Sequence, residues 1–199
     1  GSSFRAATSS TRAAWQDAGN ASDPATRSDG DAWYNTTARA HKTADGGQVH
    51  TAAQVLCSAT GAGTSSTSAT QLGTCTIPAG FLKPGDRVEI HFDYSHEGTG
   101  VGFTFDVRWG TTALVSRTAA AGEAAVSGQA GAGVHTSGAQ WSVQSWGASL
   151  GFAASAGAAA DSLASSITVS FLGRMSGATT DTVTLRNFTV LRDPVQQNP

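Results

Sequence analysis

Asp181-Thr-Val-Thr-Leu-Arg-Asn-Phe-Thr-Val-Leu-Arg-Asp193 decides the fold class. Val183 and Leu185 alternate with Thr184 and Arg186; the apolar phase then slips by one residue and resumes at Phe188 and Val190. Strict alternation with a single slip is the pattern of a long strand carrying one bulge. Such a strand needs a sizeable sheet, and at the end of a chain rich in small polar residues it closes an antiparallel β-sandwich. Nothing in the stretch is catalytic.

Working back along the chain, Val88, Ile90, Phe92 and Tyr94 alternate with Arg87, Glu89, His91 and Asp93. Phe103, Phe105, Val107 and Trp109 then alternate with Thr104, Asp106 and Arg108. Each run has one face for a core and one for solvent. A loop with two prolines, Thr76 to Asp86, ends in the tight turn Pro84-Gly85-Asp86 and launches the first of them. Further strands are expected at Thr112 to Arg117, Gln140 to Ser149 and Ser166 to Leu172, giving about seven or eight in all. More than half of the 199 residues are Ala, Gly, Ser or Thr, which implies economical β packing around few large side chains.

The expected architecture is all-β: residues 1–29 an extended arm or linker, 30–55 a short β-hairpin collar, 56–193 a jelly-roll-like antiparallel β-sandwich, and 194–199 a tail. The collar strands bury too little to be stable alone and need the following domain or neighbouring copies. Charged residues are 13% and the formal net charge is -2, so there is no footprint for nucleic acid, and no apolar run is long enough for a membrane helix. Cys57 and Cys75 flank a Ser/Thr/Gly-rich segment. They are either a disulfide closing about 18 residues, worth about 3 kcal/mol, or two small buried thiols. Without histidines at suitable spacing they cannot form a structural zinc site.

The densest set of acid–base or metal-ligand types is His91, Asp93, His96 and Glu97, whose simpler reading is a polar outer face running into a loop. No Gly-x-Ser-x-Gly elbow is present. The expectation is a protein that is not an enzyme and needs no cofactor or metal. Trp141 and Trp146, five residues apart, fall on opposite faces of a regular strand, so one of them is a candidate for stacking on a sugar ring. Asn20, Asn35 and Asn187 match the N-glycosylation pattern, as chance allows in so Ser/Thr-rich a chain.

The cassette Gly30-Asp-Ala-Trp-Tyr-Asn-Thr-Thr37, followed by a short basic strand and a Gly turn, resembles a segment recurrent in tail-fibre, spike and other appendage proteins of tailed bacteriophages and prophages. The later run, with its Pro/Gly-bounded loop at Ile77 to Asp86 and its closing strand, looks like the jelly-roll tips of such fibres. The resemblance implies a virion structural protein: a tail or head fibre, spike or decoration protein, assembled in the host bacterial cytoplasm. It also implies a homo-trimer, with Trp33 and Tyr34 at a shaft or oligomer interface, other virion proteins bound through the N-terminal arm, and host-surface glycan as a further partner. Binding would use loops at the end of the sandwich, Glu97 to Val101 and Gly122 to Ser137. The competing reading is a carbohydrate-binding accessory β-sandwich module of a secreted enzyme.

Overall fold

The computed structural model describes residues 19, 21–26 and 28–196. Most of the expected arm, with Trp15 and Asn20, lies outside them. The chain divides into two units, one formed by the described residues up to Ala52 together with Gln196, the other by Ala53–Val195.

The first unit is a meander of β1 (Ala32–Asn35), β2 (Ala40–Asp45) and β3 (Gln48–Thr51), turned by the left-handed pair Gly46 and Gly47. Its apolar core is small: Trp33, Ala44 and Val49. Asp23 adds a polar anchor, accepting from Trp33 Nε1 (3.1 Å), Asn35 Nδ2 (2.7 Å) and Lys42 Nζ (3.0 Å). Burial would raise the Asp23 carboxyl, but these donors outweigh it and hold it below its ordinary value.

The second unit is an antiparallel β-sandwich of eleven strands: β4 (Gln54–Ala59), β5 (Gly63–Thr64), β6 (Thr70–Ile77), β7 (Arg87–Glu97), β8 (Phe103–Trp109), β9 (Thr112–Ala119), β10 (Ala125–His135), β11 (Gly138–Gly147), β12 (Ala153–Ala159), β13 (Ile167–Met175) and β14 (Thr182–Asp193). One sheet runs β12-β11-β10-β7-β14-β4, with β5 also on β14; the other runs β6-β13-β8-β9. Long-range pairs such as β7 with β14 and β8 with β13 nest around the hairpins β8–β9 and β10–β11, which gives the jelly-roll-like connectivity. In β14 the extra residue is Arg186: Leu185 is opposite Tyr94 and Asn187 opposite Asp93, so the phase slip in the sequence is a bulge. Cys57 on β4 and Cys75 on β6 form a disulfide that ties the two sheets together.

The interior is filled by a few rings: Phe92 and Tyr94 from β7, Phe103, Phe105 and Trp109 from β8, Phe171 from β13 and Phe188 from β14. The strands beside them are correspondingly small. A Cβ on Gly128 of β10 would lie 2.2 Å from Phe92 Cζ, and one on Gly73 of β6 would lie 2.7 Å from Leu185 Cδ2. This explains the largest departure from expectation, because the segment Gly122 to Ser137, expected as a binding loop, contains the eleven-residue strand β10. Its inward residues Val126, Gly128, Ala130, Ala132 and Val134 are small, and at Gly128 the ring of Phe92 occupies the space a side chain would take. Strand β12 was hidden in the same way by alanines, with Gly157 making room for Trp141 Cζ2 at 2.6 Å.

The Pro84-Gly85-Asp86 turn is fixed from inside. Arg192 Nε donates to Asp86 Oδ2 at 2.7 Å, with both side chains fully buried. The Lys83 and Val195 amides also donate to this carboxylate, while Arg192 Nη1 donates to Gln54 Oε1. Full hydrogen bonding makes such a buried pair tolerable.

Gly128→Val is expected to destabilise the protein by about 1–3 kcal/mol through overpacking, read as a lower midpoint in chemical denaturation. Adding Phe92→Leu should recover part of that loss; if the two substitutions simply add, the Gly128–Phe92 complementarity is not the reason for the glycine.

Candidate functional site

Alternation along β7 sends Arg87, Glu89, His91 and Asp93 to the outer face of the larger sheet. The register carries those rows across β10 and β11: Arg87 beside Gly133 and Gln140, Glu89 beside Gly131 and Ser142, His91 beside Gln129 and Gln144, and Asp93 beside Ser127 and Trp146. Two residues of β10 in the middle of this grid have no side chain. The sheet is therefore hollowed there, in two adjoining depressions of about 180 Å³ and 380 Å³ that share Arg87, Gly131 and Ser142. Between flanking strands two spacings apart, this is a groove roughly 10 Å across, floored by backbone and walled by Arg87, Glu89 and His91 on one side and Gln140, Ser142 and Gln144 on the other.

Polar contacts along the groove are loose at one end and tighter at the other. His91 Nε2 lies 3.6 Å from Glu89 Oε2, and Gln129 Nε2 donates to Gln144 Oε1 at 3.5 Å. One row further, Ser127 Oγ donates to Asp93 Oδ1 at 2.6 Å. Trp146, 41% exposed, stands in that row, next to the groove's Gln129–Gln144 row, and Phe152, which precedes β12, is 67% exposed.

The turn between those two aromatics is held by buried charge. Glu123, 1% exposed, accepts from the Ala148 amide (2.7 Å), from the Ser149 amide and hydroxyl (2.8 Å each) and from the Leu150 amide. Arg117 donates through Nη1 to the Ser145 carbonyl and hydroxyl and through Nη2 to the Gly151 carbonyl. Burial would raise the Glu123 carboxyl, yet the Ser149, Leu150 and Ala148 donors outweigh it and hold it below its ordinary value. The result is a rigid turn presenting exposed rings.

Of the two tryptophans proposed for sugar stacking, Trp146 faces outward and Trp141 faces inward, packed over Gly157 with its indole Nε1 buried. His91 and Asp93 share the outer face. His96, however, stands on the opposite face of β7, its ring buried with Nδ1 at 3.1 Å from the Glu123 carbonyl oxygen and Nε2 at 3.7 Å from Asp181 Oδ2. Glu97 is taken by Arg186. The four do not converge, and among the described residues no group of three His, Cys, Asp or Glu is placed to hold a metal. Trp33 is buried in the first unit and bonded to Asp23, whereas Tyr34 is exposed, its ring tilted against His41 with centroids 5.0 Å apart. The Asn35 amide is buried and bonded to Asp23, so that glycosylation match is not an accessible one. The loop Glu97 to Val101 is pinned by Asp181, which accepts from the Gly100 and Val101 amides at 2.7 and 3.1 Å.

No family model and no curated protein sequence matches this chain. Solved structures similar to it include peanut lectin with a 9mer peptide, at 9% identity over 78% of this chain and 90% of that one, with a TM-score of 0.38. Lectin UEA-II complexed with galactose (9% identity) and lectin II from Ulex europaeus (10%) each cover 83% of this chain and 91% of their own, with TM-scores of 0.35. Likeness of this degree transfers neither a site nor an activity.

Glu123→Gln places an amide NH₂ against backbone N–H groups whichever way it turns, so it should cost on the order of 2–3 kcal/mol. Because the folded carboxyl is held low, its contribution in the parent is complete above the unfolded value of about 4.3 and is lost as pH falls below it. Denaturation midpoints measured from pH 7 to 3 should therefore fall more steeply for the parent than for Glu123→Gln; parallel curves would contradict the clamp.

Proposed function

We propose that this chain is a non-enzymatic attachment protein whose sandwich binds a glycan along the outer groove of the larger sheet. The observation that carries the reading is Trp146: a large aromatic left exposed on β11, one row beyond the polar groove and beside the turn that Glu123 and Arg117 hold. Exposed rings of this kind stack on the apolar faces of sugars, and a preordered site loses little entropy on binding. A polar trough of amides, hydroxyls and one guanidinium supplies hydrogen bonds to hydroxyl groups. On β7 the two outer carboxylates beside the groove, Glu89 and Asp93, lie four strand residues apart, about 13 Å, wider than the roughly 5–9.5 Å of glycosidase pairs.

The setting we propose is a phage-type virion appendage, on the strength of the Gly30 to Thr37 cassette. In that setting weak sites gain from repetition, since several copies engaging one surface raise avidity without new contacts. Trp33 lies inside its own unit, so self-association into a trimer would draw on Tyr34 and the strand edges β1 and β3 instead. The disulfide between Cys57 and Cys75 favours the second reading, a module of a secreted enzyme, because such bonds persist in oxidising surroundings.

Trp146→Ala should leave the thermal midpoint within a degree or two while reducing retention on a glycan array by about tenfold or more, since ring stacking is worth on the order of 1–3 kcal/mol. Equal retention by parent and variant would overturn the groove reading. Light scattering at two concentrations separates the settings: a mass of three chains supports the appendage, and a single-chain mass supports the accessory module.

A further inference from the structure

The groove has a second end, and its chemistry differs from that at Trp146. Arg87 lines both depressions, and its Nη1 and Nη2 lie 3.1 and 4.0 Å from where side chains on Gly131 and Gly133 would begin. The guanidinium thus lies across the glycine floor. Asp193 on β14 is the register partner of Arg87, on the other side of β7, yet no ion pair joins them. The side chain leans away from an available carboxylate and over the gap that the two glycines leave. Among the described residues no hydrogen bond or ion pair engages it. Most of the other sandwich arginines are engaged: Arg117 with Ser145 and Gly151, Arg174 with Asp106, Arg186 with Glu97 and Ser95, and Arg192 with Asp86. Arg108, likewise without a hydrogen bond or ion pair among the described residues, stands on the smaller sheet and lines neither depression.

We infer that Arg87 is the receptor for a sugar carboxylate, so that the glycan taken by the groove carries an acidic residue, of uronic or sialic type, at this end. The inference rests on the glycan-binding reading above and narrows its ligand class. A planar guanidinium with two outward N–H edges matches a carboxylate bidentately, which a neutral hydroxyl cannot do. The surroundings exclude a dense polyanion. Glu89, with His91 against it, and Asp93 follow Arg87 along the same face, Asp193 stands beside it, and the chain as a whole is net negative. One cation among acceptors suits an isolated acid on an otherwise neutral chain whose hydroxyls donate to Glu89 and to the Gln140 and Gln144 amides. Arg87 and Trp146 are six strand residues apart, roughly 20 Å, so the acid and the stacked ring belong to different sugars of one oligosaccharide. The cation and the ring would then set both the orientation and the direction of the bound chain.

The test titrates the full chain with two matched pairs, each with one acid and long enough to reach both ends of the groove: sialyl-lacto-N-neotetraose against lacto-N-neotetraose, and a xylopentaose carrying a single terminal glucuronic acid against its methyl ester. The acid member of at least one pair should bind about tenfold or more tightly than its neutral counterpart, and raising NaCl should erase that preference. Arg87→Ala should abolish the preference and Arg87→Lys should restore only part of it. Trp146→Ala should weaken acid and neutral members by the same factor. Arg87 is exposed, so both of its variants are expected to keep the parent thermal midpoint. Equal binding of acid and neutral members, or a preference that survives Arg87→Ala, overturns this inference and leaves the glycan-binding reading standing. No binding of any of the four probes, together with a blank glycan array, overturns both.

Discussion

The constraint on which this structure depends is a shortage of large side chains. A two-sheet interior has a fixed thickness of about 10 Å, and a chain more than half Ala, Gly, Ser and Thr must fill it with very few rings. Phe92, Tyr94, Phe103, Phe105, Trp109, Phe171 and Phe188 do so from four strands, and the neighbouring strands give way. Gly128 yields to Phe92, and Gly157 yields to Trp141. The outer face carries the same economy outward. Gly131 and Gly133 on β10 leave the backbone bare, and a bare backbone between two walls of side chains is a groove. One low-information strand therefore serves the core on one face and the candidate site on the other.

Buried charge does the work that side-chain volume would do elsewhere. Asp86 with Arg192 fixes the turn that launches β7 and the end of β14 in one network. Glu123 and Arg117 hold the β11–β12 turn, and Asp181 holds the 98–101 turn through the Gly100 and Val101 amides, which keep its carboxyl below the ordinary range. In each case a carboxylate accepts several backbone donors, which is the condition under which buried charge orders a loop instead of destabilising it. The functional consequence is rigidity beside Trp146 and Phe152, since the turn between them cannot move without breaking bonds to the buried Glu123 and the half-buried Arg117.

Legibility in the sequence followed side-chain contrast. The bulge at Arg186 could be read from one slipped phase, and β7 and β8 from clean alternation between large apolar and charged residues. Strands β9, β11 and β13 were read to within a few residues for the same reason. Strands β10 and β12 were not, because Ala and Gly carry no amphipathic signal; what holds Val126 to Val134 as a strand is its pairing with β7 and β11, and β7 lies far away in sequence. The opposite facings of Trp141 and Trp146 were legible from their odd separation. The groove between β7 and β11 was not, because its defining feature is missing side chains on β10, a strand whose Ala and Gly residues give no alternation to read. His96 departs from the expectation because β7 runs on to Glu97, beyond Tyr94 where the large apolar residues of the alternation stop. Pairing of Cys57 with Cys75 stayed open in the sequence because spacing alone does not bring two strands of different sheets together.

Function, on this account, resides in a sheet face and not in the loops at the end of the sandwich, which places recognition on the most rigid part of the fold. The most direct measurement is a ¹H–¹⁵N spectrum of the full chain, recorded while an array-selected glycan is titrated in. The indole N–H groups report separately on each tryptophan. The account predicts that the Trp146 indole and the amides of Gln129 to Gly133 and Gln140 to Gln144 shift together, while the Trp109 and Trp141 indoles stay in place. Shifts confined to the 98–101 turn or to the first unit, with the Trp146 indole unmoved, would contradict it.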